Sequence, residues 1–177
     1  LTVGIAPSSM SENGGSATGT VSRGTDTTGN LTVNLGSSDT SEATVPAMVT
    51  IPDGQTSAMF PVTAVDDATV DGTQTVTITA SAATFADGTD TIDVTDDDTA
   101  ALSLSISPAS MSENGGSATG TVSRNTGTTG NLTVNLASSD TSEATVPATV
   151  TIPDGQASAM FPVTAVDDAI VDGTQTV

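Results

Sequence analysis

The sequence predicts an all-β chain of two tandem antiparallel β-sandwiches, with about seven strands in a complete unit. Three observations carry this. Laying residues 1–76 over 102–177 leaves 65 of 76 pairs identical, so a whole domain of about 100 residues is repeated. Val, Ile and Leu alternate with Thr, Ser and Asn, the period of a strand with one buried face. Turn residues recur every 8–12 positions, while capped helical patterns are missing. The expected units are 1–99 and 100–177, the second lacking its final strand.

The first strand is expected over 1–10, interrupted near Pro7. The second covers 16–23, with Ala17, Gly19 and Val21 on one face. The third covers 30–36, with Leu31, Val33 and Leu35 pointing inward. The fourth spans 47–51 and ends in the turn Pro52-Asp53-Gly54-Gln55. The fifth, 56–65, turns Phe60 and Val62 inward. Pro61 cannot donate a ladder hydrogen bond, which places this strand at an edge or gives it a bulge. The sixth spans 73–80 with Val76 and Ile78 inward, and the seventh 89–95 with Ile92 and Val94 inward.

Strand parity then sorts the loops. Successive strands alternate in direction, so the first–second, third–fourth and fifth–sixth connections share one pole with the end of the seventh strand. That pole gathers Glu12, Asp39, Glu42, Asp66, Asp67, Asp71, Asp96, Asp97 and Asp98. The other pole has Asp26, Asp53 and Asp87, with Asp90 nearby. Crowded carboxylates must protonate, separate or bind a cation. An all-oxygen donor set suits Ca²⁺, which accepts 6–8 oxygens in loose geometry, better than Mg²⁺. Asp53 and Asp87 stand in Asp-Gly turns and read as turn chemistry. Asp39 and Glu42 are the weakest members of the convergent set.

Composition narrows the function classes. With 21 acidic and 2 basic residues the formal net charge is −19, a surface that repels nucleic acid and anionic membranes. The chain has no His or Cys, which leaves zinc, copper and iron–sulfur sites poorly served and rules out a disulfide framework. It also has no Lys, Tyr or Trp. Serine triads, thiol nucleophiles, Schiff bases and phosphate-loop lysines therefore lack a member or a partner, and the chain is read as no enzyme. No apolar run approaches the ~20 residues of a membrane span. Leu1 falls inside a strand pattern, so the chain reads as an excerpt of something longer. Asn30-Leu31-Thr32 and Asn131-Leu132-Thr133 fit the short N-glycosylation pattern. The Thr-rich strand 73–79 is ordinary strand surface, with carbohydrate or ice binding as its alternative.

Three motifs in order resemble a Calx-beta domain. The run from Met10-Ser11-Glu12-Asn13-Gly14-Gly15 to Arg23 is similar to its opening. The run from Phe60-Pro61-Val62 through Val65-Asp66-Asp67 to Asp71-Gly72-Thr73-Gln74-Thr75-Val76 is similar to its second signature. Ile92-Asp93-Val94-Thr95-Asp96-Asp97-Asp98 is similar to its close. The resemblance spans all of copy one and the visible part of copy two. It implies an immunoglobulin-like sandwich of the kind found as calcium-binding regulatory domains in sodium–calcium exchangers and as tandem modules of bacterial surface proteins. It implies Ca²⁺ ligands at Glu12, Asp66, Asp67, Asp71, Asp96, Asp97 and Asp98, and at Glu113, Asp167, Asp168 and Asp172 in copy two. Gln74 is neutral where the family often carries Glu, and copy two lacks the closing Asp run.

The expected function is that of an extracellular or cell-surface structural module, stiffened by calcium, in a stalk, adhesin or filament. Its partners would be neighbouring repeats of the same chain and other copies in a filament. The alternatives are a calcium-sensing regulatory domain and a strand-donating subunit of a homopolymeric fibre. Near-identical copies favour the structural role.

Overall fold

The computed structural model describes residues 1–177 apart from Thr25 and Asp172. The chain divides into two compact units, Leu1–Asp98 and Thr99–Val177.

In unit 1 the strands are β1 (Thr2–Ala6), β2 (Ser9–Ser11), β3 (Ser16–Ser22), β4 (Leu31–Ser37), β5 (Ala43–Thr44), β6 (Met48–Ile51), β7 (Ser57–Ala64), β8 (Gln74–Ser81) and β9 (Gly88–Thr95). They form a four-stranded sheet in the order β1-β3-β7-β5 and a five-stranded sheet in the order β2-β9-β8-β4-β6. The expected seven strands thus become nine. Pro7 divides the first strand: β1 pairs antiparallel with β3, and β2 crosses to the other sheet to run parallel with β9. The two-residue β5, too short to show as an alternating pattern, is the other addition.

The inward faces are those the alternation predicts. Val21, Phe60 and Val62 from one sheet meet Val33, Ile51, Val76, Ile78, Ile92 and Val94 from the other in a single buried cluster. Leu31 and Leu35 are half-buried at its margin. Pro61 lies on β7, whose outer side pairs with β5 only at Thr63 and Ala64, so the missing N–H falls where no described strand pairs with that side. Gly19 is required by packing. A Cβ there would lie 2.2 Å from the Phe60 ring. Gly19→Ala is therefore expected to destabilise unit 1 by about 1–3 kcal/mol through overpacking, measurable as a lower urea midpoint at unchanged m.

The pole away from the acidic loops is organised by Arg23, a buried cation. Its guanidinium donates to the carbonyls of Gln55 (2.9 Å), Gly29 (3.0 Å), Thr27 (2.7 Å) and Pro52 (2.9 Å). Asp53 accepts from the Gly29 N–H, and Asn30 Oδ1 accepts from the Asp53 N–H, which ties the two turns together. Arg124 repeats the arrangement in unit 2, donating to the carbonyls of Gln156, Gly130 and Thr128.

In unit 2 the strands are β10 (Leu102–Ser107), β11 (Ser117–Arg124), β12 (Leu132–Asn135), β13 (Ala144–Thr145), β14 (Thr149–Ile152) and β15 (Ser158–Ala165). The sheet β10-β11-β15-β13 matches its counterpart in unit 1, but among the described residues β12 pairs only with β14. Among the described residues 166–177 there is no strand. The sequence reading expects copy two to lack its final strand; residues 174–177, which open the sixth-strand pattern, are likewise not strand.

Candidate metal centre

Strand register explains how distant acids meet. Ser11 pairs with Thr95 across β2 and β9, which sets Glu12 beside Asp96 and Asp97. The Glu12 N–H donates to the Thr95 carbonyl at 3.0 Å, and the Asp97 N–H donates to Glu12 Oε1 at 3.3 Å. Ala43 pairs with Ala64 across β5 and β7, and the Val65 N–H donates to the Glu42 carbonyl at 2.8 Å, drawing Glu42 to the loop that holds Asp66 and Asp67. Gln74 pairs with Val94 across β8 and β9, so the turn at Asp71 and Gly72 reaches Asp96. Gly72, at φ 79°, donates its N–H to Asp96 Oδ2 at 2.9 Å.

The result is three groups whose ligand oxygens lie within 4.8 Å of one another: Glu12, Asp66 and Asp97; Glu12, Asp96 and Asp98; and Glu42, Asp67 and Asp71. Glu12, only 2% exposed, belongs to two of them. All seven unit 1 residues named from the sequence are present. Glu42, which the sequence reading placed at this pole but outside the ligand set, joins them and is buried. Its position in the third–fourth connection was the available signal; its burial depends on β5. Asn13 also contributes, donating from Nδ2 to Asp97 Oδ2 at 2.8 Å. Asp39 lies outside the groups and accepts from the Ser41 N–H at 3.0 Å within its own turn.

In unit 2, Glu113, Asp167 and Asp168 are exposed and join no such group among the described residues. Asp172 lies outside the described residues. The physical reason is the register: Glu12 and Asp96 are brought together by the pairing of β2 with β9, which has no counterpart among the described residues of unit 2.

The electrostatics of the unit 1 groups are those of an uncompensated anion cluster. Burial, reinforced by Asp96, Asp67 and Asp98, pushes the Glu12 carboxyl above its usual value of 4.5. Burial, with Asp71, Asp39 and Asp67, does the same to Glu42. Desolvation together with Asp96 and Asp97 raises Asp98 above 3.8, and Asp98 Oδ2 is buried without a hydrogen-bond partner. Asp96 moves the other way, lowered first by the Gly72 N–H and then by the Asp98 N–H. Of the chain's two basic side chains, Arg23 and Arg124, both donate to backbone carbonyls of the turns away from this cluster.

A pH prediction follows. The folded state binds Glu12, Glu42 and Asp98 protons more tightly than the unfolded chain, so its stability falls as pH rises through the window above 3.8–4.5. The metal-free chain is expected to melt higher near pH 5 than at pH 7.5. Saturating Ca²⁺ should flatten or invert that trend, since the ion takes the deprotonated groups. Thermal scans across pH, with and without chelator, check both.

The chain matches the model of the Calx-beta domain twice, over residues 1–98 and 95–177. It belongs to the Calx-beta family. Among solved structures it is similar to CBD12 from CALX1.2, at 13% identity over 93% of this chain and 75% of the other, TM-score 0.42. It is similar to the apo form of the Calx CBD1 domain, at 18% identity over 55% and 97%, TM-score 0.41. It is also similar to the D0-D1 domain of intimin, at 14% identity over 94% and 84%, TM-score 0.40. No curated protein matches the chain.

Proposed function

We propose that this Calx-beta chain is a calcium-binding β-sandwich repeat, serving as an extracellular or cell-surface structural module of a stalk, adhesin or filament. The observation that carries the calcium reading is Glu12: a buried carboxylate shared by two groups of acids, with the Asp98 Oδ2 atom buried beside them and unpartnered. A carboxylate so placed needs a proton or a cation. The donors are all oxygen, which fits a hard divalent ion with flexible coordination.

Glu12, Asp66, Asp96, Asp97 and Asp98 would hold the ion or ions beyond the C-terminal ends of β2 and β9, and Glu42, Asp67 and Asp71 would add a further position. The bound ion supplies positive charge that this pole otherwise lacks. The chain's contribution is preorganisation. Gly72 and Asp98 fix both oxygens of Asp96 through backbone N–H groups, and Thr69 fixes Asp67 Oδ1 at 2.6 Å.

The structural role rests on the repetition and on where the ligands fall. Near-identical copies serve a stalk or fibre more directly than a sensor. The run 96–98 ends where Thr99 opens unit 2, so an ion held there restrains the chain that continues. The test is thermal unfolding of the chain in Ca²⁺, Mg²⁺ and chelator. A calcium-specific rise in Tm, with slower backbone motion of residues 96–101 by ¹⁵N relaxation, is expected. Equal Tm in all three would leave the acidic pole as solvated charge.

A further inference from the structure

We infer that Asn125 anchors the connecting segment Thr99-Ala100-Ala101 to unit 2, and so passes the restraint of an ion at 96–98 into that segment. The anchor stands on hydrogen bonds alone; the coupling rests on the calcium reading above. Asn125 follows the last residue of β11 and is half-buried. Its Oδ1 accepts from the Ala101 N–H at 2.7 Å, and its Nδ2 donates to the Thr99 carbonyl at 3.1 Å. The Asn125 N–H donates to the Ala101 carbonyl at 3.3 Å. The β10–β11 ladder begins with Leu102 opposite Arg124, so these bonds extend the attachment to residues that precede the strand. Thr99, Ala100 and Ala101 are exposed, so polar contact rather than burial holds them. A primary amide suits both partners, since it carries an acceptor and a donor on one planar group.

The position matters because of what precedes it. Asp98 belongs to the group with Glu12 and Asp96, and its N–H donates to Asp96 Oδ1 at 2.8 Å. Unit 1 therefore holds the chain up to the Asp98 N–H, and Asn125 holds it from the Thr99 carbonyl onward. Only the soft torsions of Asp98 and Thr99 lie between the two anchors. An ion on the Asp98 carboxylate would fix Asp98 itself, and the anchored Thr99 leaves little chain free beyond it. Without the amide, ordering by the ion would end at Asp98, and residues 99–101 would move as an ordinary exposed connection. The equivalent position in unit 1 is Gly24, where a Cβ would meet nothing within 4 Å. The fold accepts that position without a side chain, so Asn125 can be shortened without removing a core contact.

The experiment compares the ¹⁵N-labelled 177-residue chain with its Asn125→Ala and Asn125→Asp variants, first in chelator and then in calcium. In chelator the Ala variant should show about tenfold faster amide exchange at Ala101 and lower heteronuclear NOE values at 99–101, with the β11 amides unchanged. Asp keeps the acceptor for the Ala101 N–H but has no donor for the Thr99 carbonyl. It should restore the Ala101 protection and leave the NOE of Thr99 low, a split that a general loss of stability would not give. Calcium should order residues 96–101 in the parent chain and residues 96–98 alone in the Ala variant, with equal shifts at Glu12 and Asp97 in both. Unchanged exchange and NOE values in the Ala variant overturn the anchor and the proposal with it. Equal ordering of 99–101 by calcium in both chains overturns the coupling. If calcium shifts neither Glu12 nor Asp97 in the parent, the calcium reading fails and the coupling with it, while the chelator measurements still decide the anchor.

Discussion

Glu12→Gln is expected to remove most of the calcium-induced stabilisation of unit 1 while raising the stability of the metal-free form at neutral pH. Both effects have one cause. Glu12 is buried among Asp66, Asp96, Asp97 and Asp98, so its negative charge costs stability without a cation and provides a ligand with one. At a calcium concentration about a hundredfold above Kd, binding to the native state contributes about 2.7 kcal/mol. For a unit of this size that corresponds to a rise in Tm of roughly 10–20 °C. The variant should lose most of that rise. Asp39→Asn is the control at the same pole: Asp39 belongs to no ligand group and is held within its own turn, so its calcium response should equal that of the unsubstituted chain. Differential scanning calorimetry in calcium and in chelator reads both.

Replacing Arg23 by Met is expected to cost unit 1 roughly 2–3 kcal/mol, since four turn carbonyls lose one shared, buried charged donor at once. The Arg23 guanidinium reaches Gln55, Gly29, Thr27 and Pro52 together, and those carbonyls belong to two separate turns. Lys carries a compact ammonium with three donors in place of the planar fork, so Arg23→Lys should recover only part of the loss. Urea unfolding monitored by circular dichroism measures the difference. A Lys variant as stable as the parent would mean that the fork geometry is immaterial and that only the charge counts. Arg124 holds the matching turns of unit 2, and the same substitution there should act on the unit 2 transition.

Much of this was legible in the residues. The alternation at Val33 and Leu35, at Val76 and Ile78, and at Ile92 and Val94 carries the strand period directly, because one side of each strand is buried. Parity alone placed Glu12, Asp66, Asp67, Asp71 and the run 96–98 at one pole, since antiparallel strands allow only two. The finer arrangement was not legible. The parallel pairing of Ser9, Met10 and Ser11 with β9 depends on a sheet crossover at Pro7, and periodicity does not encode which sheet a three-residue strand joins. Glu42 is among the weakest members of the convergent set in the sequence because its burial depends on the two residues of β5, a contact set by tertiary packing. In copy two the same acids have the same sequence but different surroundings, so the ligand positions Glu113, Asp167 and Asp168 depend on pairing that their own residues do not supply.

The most direct test is a calcium titration of the ¹⁵N-labelled chain followed by heteronuclear NMR, with magnesium present throughout. The expected result is saturable shifts confined to Glu12, Asn13, Glu42, the 65–72 loop and residues 96–98, absent in Glu12→Gln, with Glu113 and Asp167 left largely unmoved. Uniform, non-saturating shifts spread over the acidic residues of both units would contradict the account and identify the acidic pole as a site of diffuse counterion screening alone.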